Sequence, residues 1–118
     1  MYKIELDSTK KALKATVSGM LSKEDIKNYL EEMTAHSSKI NPKDYSLIID
    51  AREQKTLTQD SLPYAEKVMK FYAETPFAKR FSVVLSSSIA MSQANRVSKN
   101  EVELFEMVTS VDEAYRKI

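Results

Sequence analysis

Cysteine is absent from this 118-residue chain, and glycine occurs once, as Gly19. Without cysteine there is no disulfide framework, no structural zinc finger and no thiol nucleophile. Average usage would supply roughly eight glycines. The glycine-rich dinucleotide loop, the phosphate loop of an NTPase and the glycine-flanked nucleophile elbow each need two or more, so none of them can be written here. The single histidine, His36, rules out a metal site built on several histidines. Charge of one sign is also missing. There are 18 Lys and Arg against 17 Asp and Glu, a formal net charge of +1, and Lys and Glu are interspersed, which argues against bulk binding to nucleic acid or to an anionic membrane. No apolar run reaches the length of a membrane span or a signal-peptide core, so a cytoplasmic protein without membrane insertion is expected.

What is present is the composition of a globular chain, 42% hydrophobic and 30% charged, long enough to bury roughly two-thirds of its unfolded surface. Tyr2, Ile4 and Leu6 alternate with polar residues, as do Leu13, Ala15 and Val17 after the polar turn Asp7-Ser8-Thr9-Lys10-Lys11. This predicts an antiparallel strand pair, the second strand closing at Gly19. Ser22 followed by Glu24 and Asp25 reads as an N-cap and an acidic first turn. Ile26, Tyr29, Leu30 and Met33 then form one stripe of a helix running to about Lys39. Tyr45-Ser46-Leu47-Ile48-Ile49-Asp50 is nearly continuous in apolar residues, as a strand covered on both sides would be. Ala51 to Asp60 reads as a polar connector. A helix follows from about Ser61 and Pro63 with Ala65, Val68, Met69, Tyr72 and Ala73 on its apolar stripe, ended by Pro76. Phe81 to Leu85 predicts another core strand, Ile89 to about Lys99 a helix capped by Ser86-Ser87-Ser88, Glu101 to Glu106 a strand, and Ser110 onward a short terminal helix.

The resulting order is β-β-α-β-α-β-α-β-α, with no repeat or interdomain linker. It predicts a single α/β domain over residues 1–118, with a mixed, mostly parallel sheet of about five strands. This order, with Gly19-Met20-Leu21-Ser22-Lys23-Glu24-Asp25, the Tyr45-to-Asp50 strand and the Phe81-to-Arg96 strand, serine turn and helix, resembles the STAS superfamily. Its likeness is greatest to the SpoIIAA-like branch of small stand-alone bacterial domains. The resemblance implies helices mainly on one face of the sheet, as in those regulatory domains and the related lipid-binding Sec14-like fold. In the sporulation-type antagonists of this family, an aspartate ends the third strand and the next residue is a serine phosphorylated by a partner kinase. Here Asp50 matches, but Ala51 carries no hydroxyl, so that switch is not carried over.

Candidate chemistry is sparse. His36, near the end of its helix, reads as a surface residue rather than a base, since no orienting carboxylate or nucleophile accompanies it in sequence. Asp50, Arg52 and Glu53 stand where α/β sheets place ligands, beyond the carboxyl end of a central strand. The stretch after them, with Thr58, Gln59 and Ser61, suits a recognition loop, or alternatively a solvated connector whose Thr58 or Asp60 caps the next helix. Ser86, Ser87 and Ser88 could receive an anionic group at a helix start, or serve as ordinary caps. Lys67, Lys70, Lys79, Arg80, Arg96 and Lys99 make the middle of the chain basic, but interleaved glutamates favour a solvated face. Tyr64, Phe71, Tyr72, Phe77 and Phe81 are more aromatics than one helix face can bury, which invites a pocket or a subunit interface.

These observations predict a non-catalytic, STAS-like regulatory or binding domain without cofactor. It would act on a protein partner or a small apolar or anionic ligand through the surface formed by Asp50, Arg52, Glu53, Thr58, Gln59, Ser61 and the three serines. Replacing Arg52 and Gln59 is then expected to weaken binding and leave stability nearly unchanged. The alternatives are a carrier of a small apolar or lipid-like molecule, and an enzyme using Asp50 or Glu53. A homodimer is left open.

Overall fold

The structure is a computed structural model in which residues 1–85 and 104–118 are described. Strand β1 (Tyr2–Asp7) pairs antiparallel with β2 (Ala12–Leu21), in register from Tyr2 opposite Val17 to Asp7 opposite Ala12. The turn between them is held by the Asp7 carboxylate, whose Oδ1 accepts the backbone N–H groups of Thr9 at 3.1 Å and Lys10 at 3.0 Å, an Asx-type closure. From β2 onward every neighbour is parallel. β3 (Ser46–Leu57), β4 (Lys79–Val83) and β5 (Glu106–Val108) follow in sequence order to complete a five-stranded sheet, β1-β2-β3-β4-β5. Parallel neighbours require crossovers. Helix α1 (Lys23–Ser38) links β2 to β3, and α2 (Leu62–Glu74) links β3 to β4.

Side-chain alternation divides the core between the two sheet faces. Leu13, Ala15, Val17, Leu47 and Ile49 point to the face covered by α1 and α2, where Ile26, Tyr29, Met33, Val68 and Tyr72 meet them. Ile48, Phe81, Val83 and Val108 point to the other face, beneath the terminal helix α3 (Val111–Lys117) and its Ala114. The apolar run of β3 is thus covered on both sides, as its composition requires. The Ser22 cap expected from sequence is in place, and Ser110, expected to start the terminal helix, caps it. Ser22 Oγ accepts the Asp25 N–H at 3.2 Å while the Asp25 carboxylate accepts the Ser22 N–H at 3.1 Å, a reciprocal capping box. Ser110 Oγ accepts the Glu113 N–H at 3.0 Å. No helix among the described residues is long and apolar enough to cross a membrane.

Four boundaries differ from expectation, the smallest shift being that of β4, which spans Lys79–Val83 rather than Phe81 to Leu85. β3 does not end at Asp50 but continues to Leu57, so most of the expected connector is strand. β2 likewise runs through Gly19 to Leu21, and its added residues supply the backbone partners that hold the polar extension of β3 in the sheet. Strand β5 lies at Glu106–Val108 rather than Glu101 to Glu106, with Phe105 buried against the α1/α2 core. The expected helix from Ile89 to Lys99 and Ser86, Ser87, Ser88 and Arg96 lie outside the described residues.

Gly19 takes φ +70 within β2, and a Cβ built there would meet nothing within 4 Å. Substitution therefore costs backbone strain and no clash. Gly19→Ala should lower stability by about 1–2 kcal/mol, the usual cost of placing an L-side chain in the left-handed region, and Gly19→Asn by less. Urea unfolding midpoints measure this, and an alanine variant as stable as the parent would show that the strand can relax out of that conformation.

Candidate functional site

The sequence-predicted surface separates into two groups. Asp50 is buried, 8% exposed, on the α3 side of the sheet, and Arg52 clasps it. Arg52 Nε donates to Asp50 Oδ1 at 3.0 Å and Arg52 Nη2 to Oδ2 at 2.8 Å, while the Arg52 N–H reaches Oδ1 at 3.3 Å. The side-chain hydrogen bonds from Arg52 hold the Asp50 carboxyl below the usual carboxylate range, against the opposing effect of burial. Arg52 is accordingly not a free surface cation. Glu53 is exposed beside it.

Thr58, Gln59 and Ser61 form the second group, in a short 3-10 turn (Gln59–Ser61) that leads into α2. Ser61 is fully buried, and its Oγ donates to the Thr58 carbonyl at 2.6 Å, which removes it from any contact surface. Thr58 stands at the N-cap position, yet its hydroxyl makes no capping bond and finds no hydrogen-bond partner among the described residues. The basic stretch is also engaged. Arg80 Nε and Nη2 donate to the Tyr72 and Thr75 carbonyls at 2.9 and 2.6 Å, closing the end of α2. Lys70 lies 3.8 Å from Glu74.

A concave feature lies on the opposite sheet face from the Asp50–Arg52 pair. A cavity of about 260 Å³ opens between α1, α2 and the sheet. Val17 and Leu21 of β2, Ile49, Ala51 and Gln54 of β3, and Ser82 of β4 form its sheet wall, and Val84 and Phe105 add to it. Strict alternation from Ala51 would turn Glu53 inward. Instead the register steps from Thr16 opposite Asp50 to Ser18 opposite Glu53, which adds one residue to β3 and brings Gln54 onto the cavity side. A second step, between Gly19 opposite Gln54 and Leu21 opposite Leu57, does the same again. These are β-bulges, devices that re-aim side chains.

The helices supply the rest. Asp25, Ile26 and Tyr29 come from α1, and Ala65, Val68, Met69 and Tyr72 from α2. Gln54 is exposed and Asp25 and Ala65 are half-buried, which marks the mouth; Tyr29, Tyr72, Ile49 and Phe105 are buried and mark the depth. The mouth therefore lies at the carboxyl ends of β2 and β3 and at the first turns of α1 and α2, where open α/β sheets hold their ligands.

An aromatic series crosses the cavity wall. Tyr2 stands edge-on to Tyr29, ring centroids 5.5 Å apart at 80°, and Tyr72 stands edge-on to Phe105 at 5.5 Å and 87°. Between them the Tyr29 and Tyr72 hydroxyls meet in a hydrogen bond joining α1 to α2. Burial pushes the Tyr29 phenol far above its ordinary range, so it is neutral throughout the physiological window. Among the described lining residues Asp25 is the one carboxylate; the Ser22 backbone N–H, then its hydroxyl, holds it below the usual range and hence ionised. No lysine, arginine or histidine is among the described residues of the lining. The arrangement suits it to enclose an apolar body and to hydrogen-bond one polar atom. No group of three or more metal-ligating side chains occurs among the described residues.

The aromatic surplus in sequence was therefore a partial pointer. Of its five members only Tyr72 lines the cavity; Phe77 and Phe81 are buried on opposite sheet faces, and Tyr64 lies beneath the ammonium groups of Lys23 and Lys67. Ala51, where the resembled antagonists carry their serine, is part of the cavity wall.

The sheet order and the helices on its faces define a SpoIIAA-like α/β fold. The chain is similar to the crystal structure of an uncharacterized protein from the DUF3478 family with a SpoIIAA-like fold, from Shewanella loihica PV-4. The TM-score is 0.70 at 17% sequence identity, covering 99% of this chain and 91% of that one. The likeness is one of fold. No family model matches the chain, and no curated protein matches it.

Proposed function

We propose that this protein is a non-catalytic binding domain that takes up a small, mostly apolar molecule in the cavity between α1, α2 and the sheet. The cavity of about 260 Å³ carries this reading. Water that enters through the mouth meets walls that are mostly apolar, so an apolar occupant that displaces it gains the free energy of removing that apolar surface from water. Size narrows the occupant. An apolar cavity of roughly 150 Å³ accommodates benzene, so this one suits a body somewhat less than twice as large, a medium-chain or single-ring molecule rather than a phospholipid.

An NMR titration with benzene and with 1-octanol tests the reading. Binding should move the amide resonances of Tyr29, Ile49, Val68 and Tyr72, and an absence of shifts there with both probes would refute it. Filling the mouth gives a second check. Ala65→Leu should raise stability by about 0.5–1 kcal/mol, as cavity-filling substitutions do, and weaken 1-octanol binding about tenfold. Unchanged affinity in that variant would move the site elsewhere.

A further inference from the structure

We infer that the cavity selects an uncharged alcohol or phenol over the corresponding carboxylate, with the ligand hydroxyl seated on the Tyr29 hydroxyl. The inference rests on the cavity being the binding site proposed above. A phenol hydroxyl has one donor and two acceptor positions, and the contact with Tyr72 uses one position of Tyr29. If Tyr29 donates to Tyr72, its oxygen can still accept. If Tyr72 is the donor, the Tyr29 O–H still needs an acceptor. A ligand hydroxyl answers either case because it donates and accepts; a carboxylate answers only the second.

Charge points the same way. Among the described residues the lining contains no cation, and its one ionised group there is the Asp25 carboxylate at the mouth. A carboxylate drawn inside would lose its hydration with no counter-charge, which costs far more than burying a hydrogen-bonded hydroxyl. A carboxylate left at the mouth would face Asp25. The ammonium groups of Lys23 and Lys67 sit over the Tyr64 ring at 5.5 and 4.9 Å from its centroid, and neither residue is among the described lining. The neutral Tyr29 phenol offers an anion a hydrogen bond but no ionic attraction.

The test compares 1-octanol with octanoate at pH 7, by NMR titration of the wild-type protein and of Tyr29→Phe, which keeps the ring and removes the hydroxyl. In the wild type 1-octanol should bind at least tenfold more tightly. In Tyr29→Phe its affinity should fall about three- to tenfold, the worth of one hydrogen bond, with octanoate little changed. Octanoate binding as tightly as 1-octanol, or 1-octanol binding Tyr29→Phe as well as the wild type, overturns the alcohol preference while leaving the cavity a binding site. If neither probe shifts the cavity residues, the binding reading falls and this inference with it. Should Tyr29→Phe not fold, the wild-type comparison of the two probes still decides.

Discussion

Phe81→Ala is expected to lower the stability of the fold by about 3–5 kcal/mol and the thermal midpoint by roughly 12–20 °C. Phe81 is 1% exposed and is the largest side chain in the core beneath α3. The other buried members of that core among the described residues are Ala12, Ile48, Val83, Val108 and Ala114, two of them alanines and the rest β-branched side chains with little rotamer freedom to close over a void. The loss should be felt beyond the strand. Helix α3, at 7 residues, is too short to hold helical structure by itself, and it depends on Ala114, Val111 and Tyr115 packing against this cluster. Hydrogen exchange in Phe81→Ala should therefore show α3 opening below the global unfolding transition, while the amides of α1 keep the protection set by global stability. A midpoint within about 4 °C of the parent would mean that this face can repack.

The contrast between the two faces shows what could be read from sequence. The strands led by Tyr2, Leu13 and Leu47 and the helix starts at Ser22 and Ser110 were legible because each depends on local periodicity or on a cap a few residues away. The extension of β3 was not. Arg52, Glu53, Gln54 and Lys55 show no apolar alternation, and they are strand because the backbone of Ser18 to Leu21 pairs with them. The bulges followed from that pairing and had one visible mark, the isolated glycine at position 19, since glycine inside a strand pattern often accompanies a bulge. The cavity was the least legible. Val17, Ile26, Ile49 and Val68 carry the pattern of ordinary core residues in sequence, and whether their side chains meet or leave a space depends on how far α1 and α2 stand from the sheet. The Tyr29–Tyr72 hydroxyl contact belongs to that spacing, because it forms only when α1 and α2 bring the two rings together across the gap.

Arg52→Ala is expected to cost about 2–3 kcal/mol at neutral pH, where a free surface cation would cost almost nothing. Arg52 keeps 36% of its side chain exposed, whereas the Asp50 side chain keeps 11%, so removing the guanidinium leaves a mostly buried carboxylate without its bidentate partner. The backbone N–H of residue 52 and, more weakly, Lys14 still lower its pKa, but the side-chain hydrogen bonds from Arg52, the largest effect, are gone. The pH dependence identifies the cause. In the parent the folded-state pKa of Asp50 lies below its unfolded value, so the contribution of the pair is present above about pH 4 and is lost as pH falls through the folded pKa. Without the Arg52 side chain, burial becomes the largest single influence and the folded pKa rises, so the stability that the ionised pair supplies at neutral pH is lost. The stability gap between parent and variant should therefore be widest near pH 7 and shrink below about pH 4. The double variant Asp50→Asn, Arg52→Ala should recover more than half of the loss at pH 7, because an amide is far cheaper to bury than an unpaired anion. Urea unfolding at pH 7 and pH 3.5 measures both effects. A gap that stays constant across that range, with no recovery in the double variant, would mean that Arg52 stabilises the strand through the packing of its stem and not through Asp50.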